Sequence, residues 1–184
     1  MDDELLSRCQ RGDEAALYEL ISRHQDRIYR MACRILRDAA RAEEAMTEAL
    51  TAIWYRCGSW RGDASAGTWM TQVAYRVILD HARTRRRWWR FWSADEVEPG
   101  SQPVDPLTEV TDRDQREHRL ERLDRVLKTL SPEDRGLIHL HYFEDQSLAD
   151  IAAILEISRD VVKTRLARAR AKLRAALGDG DDLF

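Results

Sequence analysis

The segment Ser158-Arg-Asp-Val-Val-Lys-Thr-Arg-Leu-Ala-Arg-Ala-Arg-Ala-Lys-Leu-Arg174 decides the fold. Val162, Leu166, Ala169, Leu173 and Leu177 recur at helical spacing, which predicts a helix with one buried face. Ser158 suits the N-cap, and Gly178 suits the stop just past the last turn. Seven Lys or Arg and a single acid, Asp160, lie between Arg159 and Arg174. A helix of this kind can rest on a domain with one face and press its basic face into nucleic acid.

The preceding residues complete a motif. Ser147-Leu-Ala-Asp-Ile-Ala-Ala-Ile-Leu155 predicts a short helix with Ser147 as N-cap and Asp150 three residues on, an approximate capping box. Glu156-Ile157-Ser158 joins the two helices through a turn of helix-turn-helix length. In such a motif the second helix enters the major groove with its N-terminal residues toward the base edges. Glu156 occupies the position where a left-handed residue is expected and where Gly is easiest. The competing reading of a charge run is a solvated surface; a second, correctly spaced helix argues against it.

Bulk properties point the same way. In 184 residues, 43% are hydrophobic and 34% charged, with only eight Gly and four Pro, as expected of helix-rich domains. The net charge of -3 hides segregation, because basic clusters at 83–90 and 159–174 are offset by acidic stretches. Cys9, Cys33 and Cys57 form no CxxC pattern, so neither a disulfide framework nor a zinc site is expected. With no signal-peptide pattern and no apolar run of membrane-spanning length, the chain reads as cytoplasmic without stable membrane insertion.

Upstream, Leu17, Leu20, Ile21, Ile28, Ala32 and Ile35 mark an amphipathic helix over 14–36, with Cys33 as packing. A second helix runs from about Ala39 to Cys57 on Ala42, Ala45, Met46, Ala49, Ile53 and Trp54. Its other face carries Glu43, Glu44 and Glu48. These could suggest a metal-dependent nuclease, but no His joins them at ligand spacing, and an acidic docking face is the better reading. The stretch 58–67 is a breaker-rich loop in which Arg61, Asp63 and the flanking Trp60 and Trp69 suit backbone contact or base stacking; a plain helix connection is the alternative. A third helix begins near Thr68 on Met70, Val73, Ala74, Val77, Ile78 and Ala82. It ends in a run from Arg83 to Trp92 where five Arg are interleaved with Trp88, Trp89, Phe91 and Trp92, fit for phosphate contact with stacking; an interfacial membrane anchor and a patch covered by another domain are the alternatives.

Residues 93–117 change character: Pro99, Pro103 and Pro106 preclude a continuous helix, and eight acids outnumber two Arg, so a flexible acidic linker is expected. Leu120, Leu123, Val126, Leu127 and Leu130 predict a helix before Ser131-Pro132-Glu133-Asp134, which opens another with Ser as N-cap and Pro in the first position. His139 and His141, two apart, face different ways and are expected to pack or sit at the surface. The fold class is thus all-α: two small helical domains, 1–92 and 118–178, joined by the linker and followed by an acidic tail, 179–184.

These residues together resemble a known family. Leu130-Ser-Pro-Glu-Asp-Arg, Asp150-Ile-Ala-Ala-Ile-Leu and Ile157 through Arg174 are similar to the C-terminal domain of bacterial RNA polymerase sigma factors of the extracytoplasmic-function type. Trp60-Arg-Gly-Asp-Ala-Ser, Thr68-Trp69-Met70, Val73-Ala74, Asp80 and Arg83 to Arg87 resemble their N-terminal domain. The resemblance implies a chain that binds core RNA polymerase and directs initiation at dedicated promoters, with no catalysis, cofactor, metal or small-molecule substrate of its own. It implies polymerase docking by Glu43, Glu44, Thr47 and Glu48, with Thr47 standing where the family often has Gln. It implies contact with the downstream (-10) promoter element by Arg61, Gly62, Asp63, Ser65, Trp69, Arg76 and Arg83, with Arg76 in place of a common Asn. Arg159, Asp160, Lys163, Thr164 and Arg168 correspond to positions at the upstream (-35) element. The aromatic run at 88–92 would be covered by an anti-sigma factor inserting a helix between the domains, or by the C-terminal domain itself. A helix-turn-helix regulator working without polymerase is the alternative reading; it would need a sensing or dimerising N-terminal domain.

Overall fold

The computed structural model describes residues 1–92, 127 and 129–177, with side chains to 84 in the first stretch and to 175 in the last. The expected linker, the helix on Leu120, Leu123 and Val126, Gly178 and the acidic tail lie outside the described residues, as do the side chains of Trp88, Trp89, Phe91 and Trp92. Among the described residues all regular structure is helical: α1 (Asp2–Cys9), α2 (Glu14–Leu36), α3 (Ala39–Arg56), a 3-10 turn (Cys57–Ser59), α4 (Ala66–Trp92), α5 (Pro132–Tyr142), α6 (Leu148–Leu155) and α7 (Arg159–Leu177). They form two compact units, an N-terminal one built on α1–α4 and a C-terminal one built on α5–α7.

In the N-terminal unit α3 packs against both α2 and α4, and α1 lies on α2 and α4. The inward face of α3 is made of Ala42, Ala45, Ala49 and Ile53, all buried, and side chains this short let neighbouring helices come close. Leu20, Ile28, Ile35, Met70, Ala74 and Ile78 fill the space on either side. Of the residues expected to form the inner face of α2, Leu17 and Ile21 are only half-buried, while Ala16, His24 and Met31 are buried instead. The face is rotated because α1 covers it. Leu5, Leu6 and Cys9 of α1 are buried, and complete burial of one Leu such as Leu6 is worth about 1.5–3 kcal/mol. Helix α1 has no counterpart in the sequence reading above, although Asp2-Asp3-Glu4 ahead of Leu5, Leu6 and Cys9 is the pattern of a short amphipathic helix.

Helix ends follow local chemistry. Asp13 caps α2 by accepting from the Ala16 N–H at 3.1 Å, and Asp38 caps α3 by accepting from the Arg41 N–H at 3.2 Å. Arg37 closes α2 in the left-handed conformation, with φ 58°. Cys9, Cys33 and Cys57 are free thiols. Burial pushes the Cys9 and Cys33 thiols up, away from reactive thiolate, which fits packing.

In the C-terminal unit α5 packs on α7 around Leu130, Ile138, Ala169 and Leu173, with Leu127 and Tyr142 against them. Ser131 caps α5 by accepting from the Asp134 N–H at 3.0 Å, with Pro132 in the first turn. Arg135 turns back to donate to the carbonyl of Leu130 at 2.9 Å, tying the entering chain to the helix. His139 is buried with its Nε2 3.3 Å from Glu144 Oε1, whereas His141 is half-buried, as their spacing implied.

Candidate nucleic-acid interface

The C-terminal surface is built on a two-helix corner. Ser147 Oγ accepts from the Asp150 N–H at 3.1 Å and donates to the Asp150 carboxylate, so the capping interaction at the start of α6 involves both residues. At its end Glu156 takes φ 54°, and the Ile157 N–H reaches back to the Ala152 carbonyl at 3.1 Å. This is a Schellman-type stop with a glutamate where Gly would be unstrained. Ser158 then caps α7, accepting from the Val161 N–H at 3.3 Å.

On α7 the stripe Val162, Leu166, Ala169 and Leu173 is buried, and the opposite side exposes Arg159, Asp160, Lys163, Thr164 and Arg168, all five of the residues singled out for the upstream element. Thr164 donates its hydroxyl proton to the Asp160 carbonyl at 2.8 Å, which leaves it an acceptor toward a ligand. The seven basic residues divide. Arg159, Lys163, Arg168, Lys172 and Arg174 are exposed, while Arg165 and Arg170 are half-buried. The Arg170 guanidinium lies over the Tyr142 ring, 5.7 Å from its centre, so it holds α7 to α5 and is not part of the open basic face.

The N-terminal surface centres on the loop between the 3-10 turn and α4. Gly62 adopts φ 82°, which only Gly takes without strain, and it sets Arg61, Gly62 and Asp63 outward, all exposed. Trp60 is half-buried and donates through Nε1 to the Ala64 carbonyl at 2.9 Å, closing the loop on itself. Ser65 Oγ accepts from the Thr68 N–H at 3.2 Å, and Asp3 of α1 accepts from the Ala66 N–H. These two bonds start α4 at Ala66, two residues before the position expected from periodicity. They also occupy N–H groups that would otherwise draw a phosphate.

Along α4, Trp69, Arg76 and Arg83 are spaced by sevens and so share one face of the helix below the loop. Trp69 is half-buried and the two arginines are exposed. Arg83 has Asp80 at 3.6 Å beside it, an exposed pair that leaves the guanidinium accessible. Met70, Val73, Ala74, Val77, Ile78 and Ala82 face inward as expected.

The acidic face of α3 stands apart from these. Glu43, Glu44, Thr47 and Glu48 are exposed and, with Ala40 and Thr51, line a shallow groove. Thr47 and Thr51 donate to the carbonyls of Glu43 and Thr47, at 2.9 and 2.8 Å. Glu48 meets His81 of α4, a partner the sequence did not reveal because it lies 33 residues away. Among the described residues no group of three or more His, Cys, Asp or Glu is placed to hold a metal ion, and no helix is long and apolar enough to cross a membrane.

Both units match known families. Residues 20–88 match the model of sigma-70 region 2, and residues 120–173 that of sigma-70 region 4. The RNA polymerase sigma-E factor of Streptomyces coelicolor is 30% identical over 166 residues, covering 90% of this chain and 88% of that protein. The chain belongs to the ECF-type RNA polymerase sigma factors. The ECF sigma factor SigM of Mycobacterium tuberculosis is 29% identical over 177 residues, covering 96% of this sigma factor and 85% of its own length. The RNA polymerase sigma-H factor of Pseudomonas aeruginosa is 27% identical over 180 residues, covering 96% and 93%. Among solved structures, CnrH in complex with the cytosolic domain of CnrY (TM-score 0.70, 20% identity, 98% of this chain and 99% of that one) shares the helical fold. So does RpoE of Bartonella quintana with the anti-sigma factor NepR (TM-score 0.71, 20% identity, 89% and 98%).

Proposed function

We propose that this sigma factor binds core RNA polymerase through α3 and directs initiation by touching promoter DNA at two places. In this reading the N-terminal domain, residues 1–92, docks on polymerase with Glu43, Glu44, Thr47 and Glu48. It engages the downstream element with Arg61, Gly62, Asp63, Ser65, Trp69, Arg76 and Arg83. The C-terminal domain, residues 118–178, sets Arg159, Asp160, Lys163, Thr164 and Arg168 against the upstream element. The observation that carries the reading is the capped start of α7 after the left-handed Glu156, with Lys163, Thr164 and Arg168 on the open face. That is the arrangement by which a recognition helix meets base edges.

The two surfaces support a division of labour. A single recognition helix offers few base contacts, each good bidentate pair being worth about 1–3 kcal/mol. Two modest contacts become selective together when a third body fixes their separation, and the polymerase is that body. The chain then performs no chemistry itself and works in the cytoplasm, beside the nucleic acid. Control by an anti-sigma factor belongs to the same reading: both proteins of similar fold were solved with a bound partner, NepR being an anti-sigma factor.

Run-off transcription with purified core polymerase on a mixed promoter library tests the proposal. Initiation at a defined set of sites only when the chain is added is the expected result. Tight, sequence-selective duplex binding by the chain alone, with no gain from polymerase, would instead identify a free-standing regulator.

A further inference from the structure

Helix α1 takes no part in the proposed contacts, yet it holds the loop that does. Gln10, just beyond its last turn, donates from one amide nitrogen to the carbonyls of Cys57 at 2.9 Å and Trp60 at 2.8 Å. Those carbonyls mark the beginning of the loop. Asp3, in the first turn of the same helix, accepts from the Ala66 N–H where the loop ends. Asp3 of this eight-residue helix and Gln10 at its C-cap thus grip both ends of the segment 57–66, across 47 to 63 residues of sequence.

The helix is itself anchored. Leu5, Leu6 and Cys9 are buried, and the Asp2 carboxylate meets Arg23 Nη1 at 2.8 Å and His24 Nε2 at 2.9 Å on α2. Within the loop Trp60 donates to the Ala64 carbonyl, and the other side-chain bonds, of Ser59 to the Arg56 carbonyl and of Ser65 to Thr68, lie at its two ends, so Arg61, Gly62 and Asp63 depend for their placement on those ends. A contact group must be held to within about half an ångström of its productive position to act as one.

We propose that Gln10 and Asp3 are positioning residues for the DNA-contacting loop: they set Arg61 and Asp63 for the downstream element without touching DNA. The inference rests on the reading of that loop as a DNA-contacting element. It predicts that loosening the grip changes downstream base discrimination while upstream discrimination stays as it was, which a general loss of folded protein cannot do.

The test uses the full chain with core polymerase, on promoters carrying single-base changes in either element. Gln10→Glu keeps the length of the side chain and removes the donor, setting a carboxylate against two carbonyls. The ratio of initiation on intact to altered downstream elements is expected to fall about 5-fold, on the scale of one lost hydrogen bond, with the upstream ratio unchanged. Gln10→Lys restores a donor and is expected to recover most of the ratio, which also covers the case in which Gln10→Glu folds poorly. Amide hydrogen exchange of residues 58–65 is expected to accelerate in Gln10→Glu and not in Arg11→Ala, an exposed neighbour. Arg61→Ala and Asp63→Ala provide the separating arm. If they alter downstream discrimination and Gln10→Glu does not, the positioning role is overturned and the loop reading stands. If neither loop substitution alters it, the loop reading itself fails. An equal fall in initiation on every promoter for Gln10→Glu and Gln10→Lys, with both ratios unchanged, would overturn the positioning role and assign Gln10 to stability alone.

Discussion

His81 Nε2 lies 2.7 Å from Glu48 Oε2, so α4 holds one of the three carboxylates that α3 presents. Glu43 and Glu44, one turn earlier, point outward on the same face. The cluster that reads as uniform in sequence is therefore divided between a contact inside the domain and a surface open to a partner. Glu44→Ala is expected to weaken binding to core polymerase about 5-fold or more, measured by competition with a reference sigma factor. Glu48 is 64% exposed, and solvent screens its pair with His81. A double-mutant cycle of Glu48→Gln and His81→Gln in urea unfolding is expected to return a coupling below about 1 kcal/mol.

Base reading by α7 gives a graded expectation. Lys163→Ala and Arg168→Ala should each lower discrimination at the upstream element by about 1–3 kcal/mol where the side chain makes a good base contact. Lys172→Ala, farther from the capped end, should cost less and act evenly on all sequences. Initiation rates on a panel of upstream variants check this, and a more selective effect from Lys172→Ala would reverse the docking of the helix.

The turn before α7 carries measurable strain. With φ at 54°, Glu156 occupies a region that Gly enters freely, so Glu156→Gly should raise the unfolding midpoint of the C-terminal unit by the equivalent of up to about 1 kcal/mol. Thermal unfolding followed by circular dichroism decides it; a fall in stability would mean that the glutamate side chain contributes more than its backbone costs.

That turn also shows what could be read in the chain beforehand. Ser131, Ser147, Ser158 and Glu156 act on backbone within a few residues, and their roles follow from local chemistry alone. The buried stripes of α4 and α7 were equally legible, because a strict apolar period admits one inward face. What escaped was set by distant partners. The start of α4 moves to Ala66 with an Asp3 bond from 63 residues away, Gln10 reaches the loop across 47, and His24 is buried on α2 beside Asp2. None of these has a local signature. Helix α1 did have one, in its acidic start and its Leu5, Leu6, Cys9 spacing, but eight residues give little period to recognise.

Acid stability provides a separate check on α1. Burial alone would raise the Asp2 carboxyl, but hydrogen bonds and charge from His24 and Arg23 outweigh it and hold the group below the usual carboxylate value. A carboxyl lowered by folding contributes fully above its unfolded pKa, and that contribution is lost as pH falls through the lower folded value. Asp2→Asn should therefore destabilise the N-terminal unit by no more than about 1 kcal/mol at neutral pH, given the exposure of the pair. The difference from the unsubstituted chain should shrink as pH falls through the lowered folded value of Asp2, as read from urea midpoints between about pH 2.5 and 6. A difference that persists at low pH would show that Asp2 acts through packing.

The stacking of Arg170 on Tyr142 has a consequence for ionic strength. Counting charges along α7 suggests seven counterions displaced from DNA, but Arg170 is engaged with Tyr142 and Arg165 is half-buried, so five fully exposed cations remain. The share of the salt dependence of promoter binding that α7 can contribute is then bounded: a slope of log affinity against log salt no steeper than about −4.5. Upstream binding by this sigma factor should survive moderate salt better than its basic helix suggests, with a larger fraction of its affinity held in contacts that ions do not compete for.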